Sequence, residues 1–139
     1  MIEQVKESFS KQGFMKTLGA QLISVKKGEA KIACHLNGTL TQQHGFFHAG
    51  VITSITDVAC GYAALSTMPE GSDVLTVEFK TNFIRAAQTH HIIAKGHVIK
   101  TGKTLVFCEG IVTNDKQDII FATMQATMIC LNSNYRNET

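Results

Sequence analysis

The segment AGVITSITDVACGYAALST, from Ala49 to Thr67, contains one side chain charged at neutral pH, Asp57. Its apolar residues Val51, Ile55, Val58, Tyr62 and Leu65 recur at steps of four, three, four and three. That spacing defines one face of a helix with about 3.6 residues per turn. At about 100° per residue, Gly50, Ser54, Asp57, Gly61 and Ala64 form a second stripe beside it. A glycine such as Gly61 costs a helix interior about 1 kcal/mol relative to alanine. A run of small residues there predicts that something approaches the stripe closely. The plainer alternative, an Asp57 that is simply solvated, leaves the glycines unexplained.

Everything else in the chain must pack around this helix. The first fifteen residues carry Ile2, Val5, Phe9 and Phe14 near helical spacing, which predicts one amphipathic helix within residues 1–17. QLISV and KIACHL, separated by KKGEA, read as a β-hairpin. After the helix come four strand-like runs, DVLTVEFKTNFI, HHIIAKGHVIK, KTLVFCEGIVT and DIIFATMQATMIC. In the first, Val77, Phe79 and Phe83 alternate with Thr76, Glu78, Lys80 and Asn82. KTGK and NDKQD have the composition and length of hairpin turns. The expected class is α+β: one long helix on one face of a meander of about six antiparallel strands. Residues 1–139 read as a single domain, with a frayed polar tail over 132–139.

Composition narrows the function classes. No apolar run approaches the roughly 20 residues that span a bilayer, and the N-terminus lacks the pattern of a secretory signal. A cytoplasmic protein is expected. Cys34, Cys60, Cys108 and Cys130 show no paired spacing and sit among apolar or small neighbours, as reduced core residues do. A net charge of +2 is too small to imply nucleic acid. His35, His44, His48, His90, His91 and His97 give no dependable ligand set, so no metal is expected.

The segment QQHGFFHAGV, Gln42 to Val51, delivers the chain into the helix. Read blandly, it is a loop with solvated His44 and His48 and turn-forming Gly45 and Gly50. Yet the amides of Ala49, Gly50 and Val51 are unpaired at a helix start, and the helix dipole is positive there, which suits a developing oxyanion. From Ala49 to Asp57 the helix rises about 12 Å, too far for both to act on one carbonyl carbon. Two antiparallel copies about a two-fold axis would bring the start of one helix to the middle of the other.

Gln42, His48-Ala49-Gly50 and Asp57, nine positions after the histidine, resemble the hotdog-fold acyl-CoA thioesterases. The likeness is to the phenylacetate-degradation and 4-hydroxybenzoyl-CoA types. It extends from about Leu18 to Cys130, through LTVEFKTNFIRAA and HVIKTGKTLVFCEG. Ala49 stands where glycine is common in that family, and Gln42 where many relatives have asparagine. The resemblance implies a homodimer, or a dimer of dimers, that hydrolyses an acyl-CoA without a cofactor. It makes Asp57 the general base or nucleophile, and the Ala49 amide the group that polarises the thioester carbonyl. His48 and Gly50 then shape the helix start, Gln42 orients water or the leaving thiolate, and Thr76 faces the reacting group. Phe83, Ile84 and Arg85, with Lys100, Thr101, Gly102 and Lys103, fall where the family holds the nucleotide end of coenzyme A. Without the resemblance, Arg85, Lys100 and Lys103 are solvated turn and edge residues. Phe46 and Phe47 either line an acyl pocket or anchor the loop in the core.

Two other readings fit the same residues. One is a hotdog module that binds acyl-CoA without chemistry. The other is a hydratase, which the sequence favours less because it lacks an Asp-x4-His arrangement for water addition. An intact base beside an oxyanion donor separates an enzyme from a binder.

Overall fold

The computed structural model describes residues 1–132; all but the first residue of the expected tail lies outside them. Along the chain run helices Ile2–Ser10 (α1) and Gly13–Leu18 (α2), strands Gln21–Lys26 (β1) and Glu29–His35 (β2), and helix Ala49–Leu65 (α3). Strands Asp73–Phe83 (β3), His91–Thr101 (β4), Leu105–Asn114 (β5) and Ile120–Leu131 (β6) follow. The six strands form one antiparallel sheet in the order β1-β2-β4-β5-β6-β3.

Helix α3 lies across β2, β4 and β5, and two glycines set how closely. Gly96 and Gly110 are register partners on β4 and β5. A Cβ on Gly96 would lie 2.5 Å from the Ala59 carbonyl group, and one on Gly110 would lie 2.4 Å from Thr56 Cγ2. The helix backbone therefore rests almost on the sheet backbone, and the helix offers Thr56, Ala59, Cys60 and Ala63, all buried, at that face. Ile55, Leu65, Ile92, Met124 and Met128 fill the flanks with almost no solvent exposure. Of the apolar face expected for α3, Val51, Ile55, Tyr62 and Leu65 are buried and Val58 is half-buried.

Three expectations need correction. The N-terminal helix is two helices, because the chain turns extended at Gln12, where ψ is 105°. The Gln12 amide and the Ser8 hydroxyl both reach the Tyr62 hydroxyl, at 2.7 and 3.0 Å. That turn sends Met15 and Leu18 into the core and leaves Phe14 56% exposed. The strands are also not a simple meander: β3 crosses to the far edge and pairs only with β6.

Within β3 the alternation breaks at a bulge between Thr76 and Glu78. Thr76 pairs with buried Met128, Phe79 with Ala126 and Phe83 with Ala122, so these three share the helix side. Glu78, Lys80 and Asn82 face the other side. A bulge turns the strand by one residue, which the period-2 pattern alone does not reveal.

The cysteines are free, and three of them are buried as expected. No described helix is long and apolar enough to cross a membrane.

A methyl group at Gly96 has only main chain to push against, so Gly96→Ala should lower stability by about 1–3 kcal/mol, read as a lower urea midpoint. A Cβ at Gly61 meets nothing within 4 Å in the protomer, so Gly61→Ala should not lower the stability of the isolated chain.

Candidate active site

Asp57 lies half-buried on α3, one helical turn before Gly61. The Thr76 hydroxyl donates to Asp57 Oδ1 at 2.7 Å and also reaches the Met128 sulfur at 3.4 Å. Only the bulge in β3 brings Thr76 to that face. Burial pushes the Asp57 carboxyl above its ordinary range, and the Thr76 hydrogen bond pulls it partly back. The result is a carboxylate more basic than one in water, with one oxygen held and the other without a partner among the described residues.

Nearby thiols cannot replace it. Burial, then Cys108 and Asp57, push Cys60 far up, and burial raises Cys108 to about 12. Neither is a thiolate near neutral pH.

The start of α3 is more selective than three open amides. His48 is the N-cap: its Nδ1 accepts from Gly50 N-H at 2.8 Å, and its carbonyl accepts from Val51 N-H at 3.0 Å. Among the described residues, only the Ala49 N-H of these three has no acceptor. Gly50 packs tightly under this cap: a Cβ there would come 3.0 Å from His48 Nδ1, so the ring would have to shift to admit one. With Nδ1 accepting, the neutral His48 ring carries its proton on Nε2.

Gln42 uses its side-chain oxygen to hold its own loop. Oε1 accepts from His44 N-H at 2.5 Å and Phe46 N-H at 3.2 Å, across a turn whose Gly45 has φ 82°. Its Nε2 group has no acceptor among the described residues, so Gln42 can only donate. Thiolate or carbonyl oxygen suits it; accepting a proton from water does not.

Gln42, Phe46, Ala49 and Ile52 line a cavity of about 290 Å³ together with Phe83 to Ala87. Phe46 is half-buried at its wall, whereas Phe47, 3% exposed, also anchors the loop in the core. Groups expected to serve the acyl and nucleotide ends thus share one cavity. Ile84 and Arg85 are fixed there by their amides, which both donate to the Phe121 carbonyl.

Lys100 to Lys103 lie elsewhere. Thr101 reaches Thr67 just past the other end of α3, and Lys100 is opposite exposed Phe107 on the uncovered face of the sheet. Gly102 keeps the turn tight, since a Cβ would be 2.7 Å from the Leu105 carbonyl oxygen. Arg85 therefore does not cluster with Lys100 and Lys103 within one chain. Among the described residues no three His, Cys, Asp or Glu side chains gather as metal ligands.

A sequence model described as the thioesterase superfamily matches residues 44–121, which include His48, Ala49, Asp57 and Thr76. The chain belongs to the thioesterase superfamily. The crystal structure of a thioesterase family protein from Silicibacter pomeroyi matches at 39% identity and a TM-score of 0.89, covering 94% of this chain and 97% of that one. The E. coli PaaI protein from the phenylacetic acid degradation operon shares the fold at 20% identity and a TM-score of 0.85, with 94% and 92% covered. The 1,4-dihydroxy-2-naphthoyl-CoA hydrolase of Listeria monocytogenes is 23% identical over 108 residues, 78% of this chain and 88% of that protein. The sheet curled on one helix is the hotdog fold expected from the sequence, and the chain is a thioester hydrolase of this superfamily.

The sequence did not disclose the bulge at Val77 or the capture of the Gly50 amide. A histidine two residues before a glycine at a helix start was the available signal for the second.

The raised Asp57 carboxyl has a consequence for folding. Its charged form is penalised in the native state above the folded pKa, and the penalty is relieved as pH falls through that value. Asp57→Asn should therefore raise the thermal midpoint at neutral pH by a few degrees, measured by calorimetry.

Proposed function

We propose that the chain hydrolyses an acyl-CoA to a carboxylic acid and coenzyme A in sites shared by two copies. The observation that carries this reading is the separation, about 12 Å along α3, between the basic Asp57 and the free Ala49 amide. One chain has both halves of a thioester-hydrolysing site and cannot use them on one carbonyl.

Strand β3 supports the pairing. It is an open sheet edge of 11 residues with no buried side chain, and Leu75, Val77, Phe79 and Phe83 are each 44–54% exposed. Such an edge is a template for another strand. Two β3 edges running antiparallel bring the α3 helices side by side, with the small-residue stripes adjacent and Gly61 leaving room for close approach. Asp57 of each protomer then faces the Ala49 amide of the other. Two such dimers associating as a tetramer belong to the same reading. The choice of a CoA thioester draws on the activity named for the Listeria relative.

In this site Asp57 either takes a proton from water, whose oxygen then bonds to the thioester carbon, or attacks that carbon itself to give an acyl anhydride that a second step, addition of water, splits into the free acid and the restored carboxylate. The carbonyl electrons move onto oxygen, where the Ala49 N-H and the positive end of α3 hold the charge. Collapse breaks the C–S bond, and Gln42 Nε2-H donates to the departing sulfur. His48 keeps the helix start in place, Thr76 orients Asp57, and Arg85 contacts the CoA phosphates with Thr101 to Lys103 of the other copy. The reaction needs no metal or cofactor and takes place in the cytoplasm.

Thiol release from acyl-CoAs tests the assignment: Asp57→Asn should lose turnover by about 100-fold or more, and an unchanged rate would overturn it. Mixing inactive Asp57→Asn with Gln42→Ala chains should restore activity, since each heterodimer regains one complete site. No recovery would refute sharing.

The rate should also report the Asp57 carboxyl. Activity is full above its raised pKa and is lost as pH falls through it, so the acid limb of kcat/KM should lie above the usual carboxylate range. Thr76→Val removes the one contact that lowers this pKa and should move the limb to still higher pH.

A further inference from the structure

The start of α3 is flanked by two cavities, the one described above and a second on its other side. The other is a groove of about 460 Å³ between α2 and α3. Its floor is apolar, formed by Leu18, Leu40 and Val51, which are 4–6% exposed. Phe14 forms part of its wall while remaining 56% exposed.

Three observations tie this groove to the reaction. His48 and Gly50, the chain neighbours of Ala49, line its mouth, and Ala49 itself lines the cavity on the other side of the helix start. Gly50 adds no side chain to the mouth, where the His48 ring packs 3.0 Å from where a Gly50 Cβ would lie. The charges are also divided: the cavity on the β3 side includes Arg85, whereas the groove is lined by no Lys, Arg, Asp or Glu. A thioester held at Ala49 has one polyanionic arm and one acyl arm, and these two cavities differ in the same sense.

We infer that the groove between α2 and the start of α3 is the acyl subsite, taking an uncharged saturated chain, with Phe14 as a residue that sets chain-length preference. This rests on the thioesterase reading above and extends it to the acyl group. The cavity with Arg85 is then left to the CoA arm. Selectivity arises from the apolar area each added methylene buries, and differences of one or a few methylenes are worth roughly 10–200-fold in such pockets.

The test compares kcat/KM for acetyl-, butanoyl-, hexanoyl- and octanoyl-CoA in the wild type, Phe14→Ala and Thr17→Trp. Thr17 is an exposed groove residue of α2, so a tryptophan there fills the trough without entering the core. The wild type should favour octanoyl over acetyl, and both variants should cut that ratio by about tenfold or more. Because it is a ratio within one preparation, partial unfolding does not produce it. A wild-type ratio below one, or unchanged ratios in both variants, overturns the assignment.

Calorimetric binding of octanoyl-CoA and free CoA to Asp57→Asn, with and without Thr17→Trp, separates this proposal from the catalytic one. The groove predicts tighter binding of octanoyl-CoA that the tryptophan abolishes, whatever the rates show. Equal affinities for the two ligands refute the groove and leave the role of Asp57 untouched.

Discussion

The close seating of α3 on the sheet at Gly96 and Gly110 governs the rest of the molecule. Gly96 lets the Ala59–Cys60 main chain rest on β4, and Gly110 makes room for the Thr56 methyl and the Cys60 sulfur, so the helix sits low and has little freedom to shift. That seating turns the Asp57 side of α3 toward β3 and the Val51 side toward α1 and α2. Had larger residues filled the β4–β5 saddle, the helix would ride higher and Thr76 would not reach the carboxylate. The Thr76–Asp57 contact thus depends on two absent side chains on β4 and β5.

The site itself is built from groups whose needs are met unequally. His48 and Gln42 spend part of their hydrogen-bonding capacity on their own loop and helix start. What remains is one backbone donor at Ala49 and one side-chain donor at Gln42, each with a fixed direction. Asp57 is the opposite case: burial opposes its charge, and a single hydroxyl offsets part of that. Burial of this charge costs the folded chain stability, while the surrounding loop is over-determined and holds its donors still.

Local pattern made the helix and the hairpins legible. The four-three spacing from Val51 to Leu65 can be read only as a helix, and KKGEA, KTGK and NDKQD carry turn chemistry within a few residues. Asp57 stood out for the same reason, as a lone charge in an apolar segment. The placement of β3 was hidden because its partner is β6, and nothing in DVLTVEFKTNFI names a strand two hairpins away. The bulge was hidden because LTVEF keeps a plausible alternation in either phase. The break between α1 and α2 depends on Tyr62, more than forty residues downstream of Gln12, and it is why Phe14, an apparent core residue, is at the surface. Arg85 and Lys103 seemed near one another only because the seating of β3 and the β4–β5 turn at opposite ends of α3 cannot be read from composition.

The pairing of β3 with β6 also orders events in time. Asp73 to Phe83 is synthesised well before Ile120 to Leu131, the only strand that gives it a bed. A nascent chain whose β6 is still inside the ribosome can seat α3 on β4 and β5, yet its eleven-residue β3 has nowhere to lie. The threonine that steadies the Asp57 carboxylate therefore arrives at its post only after β6 has emerged, long after α3 itself has been made.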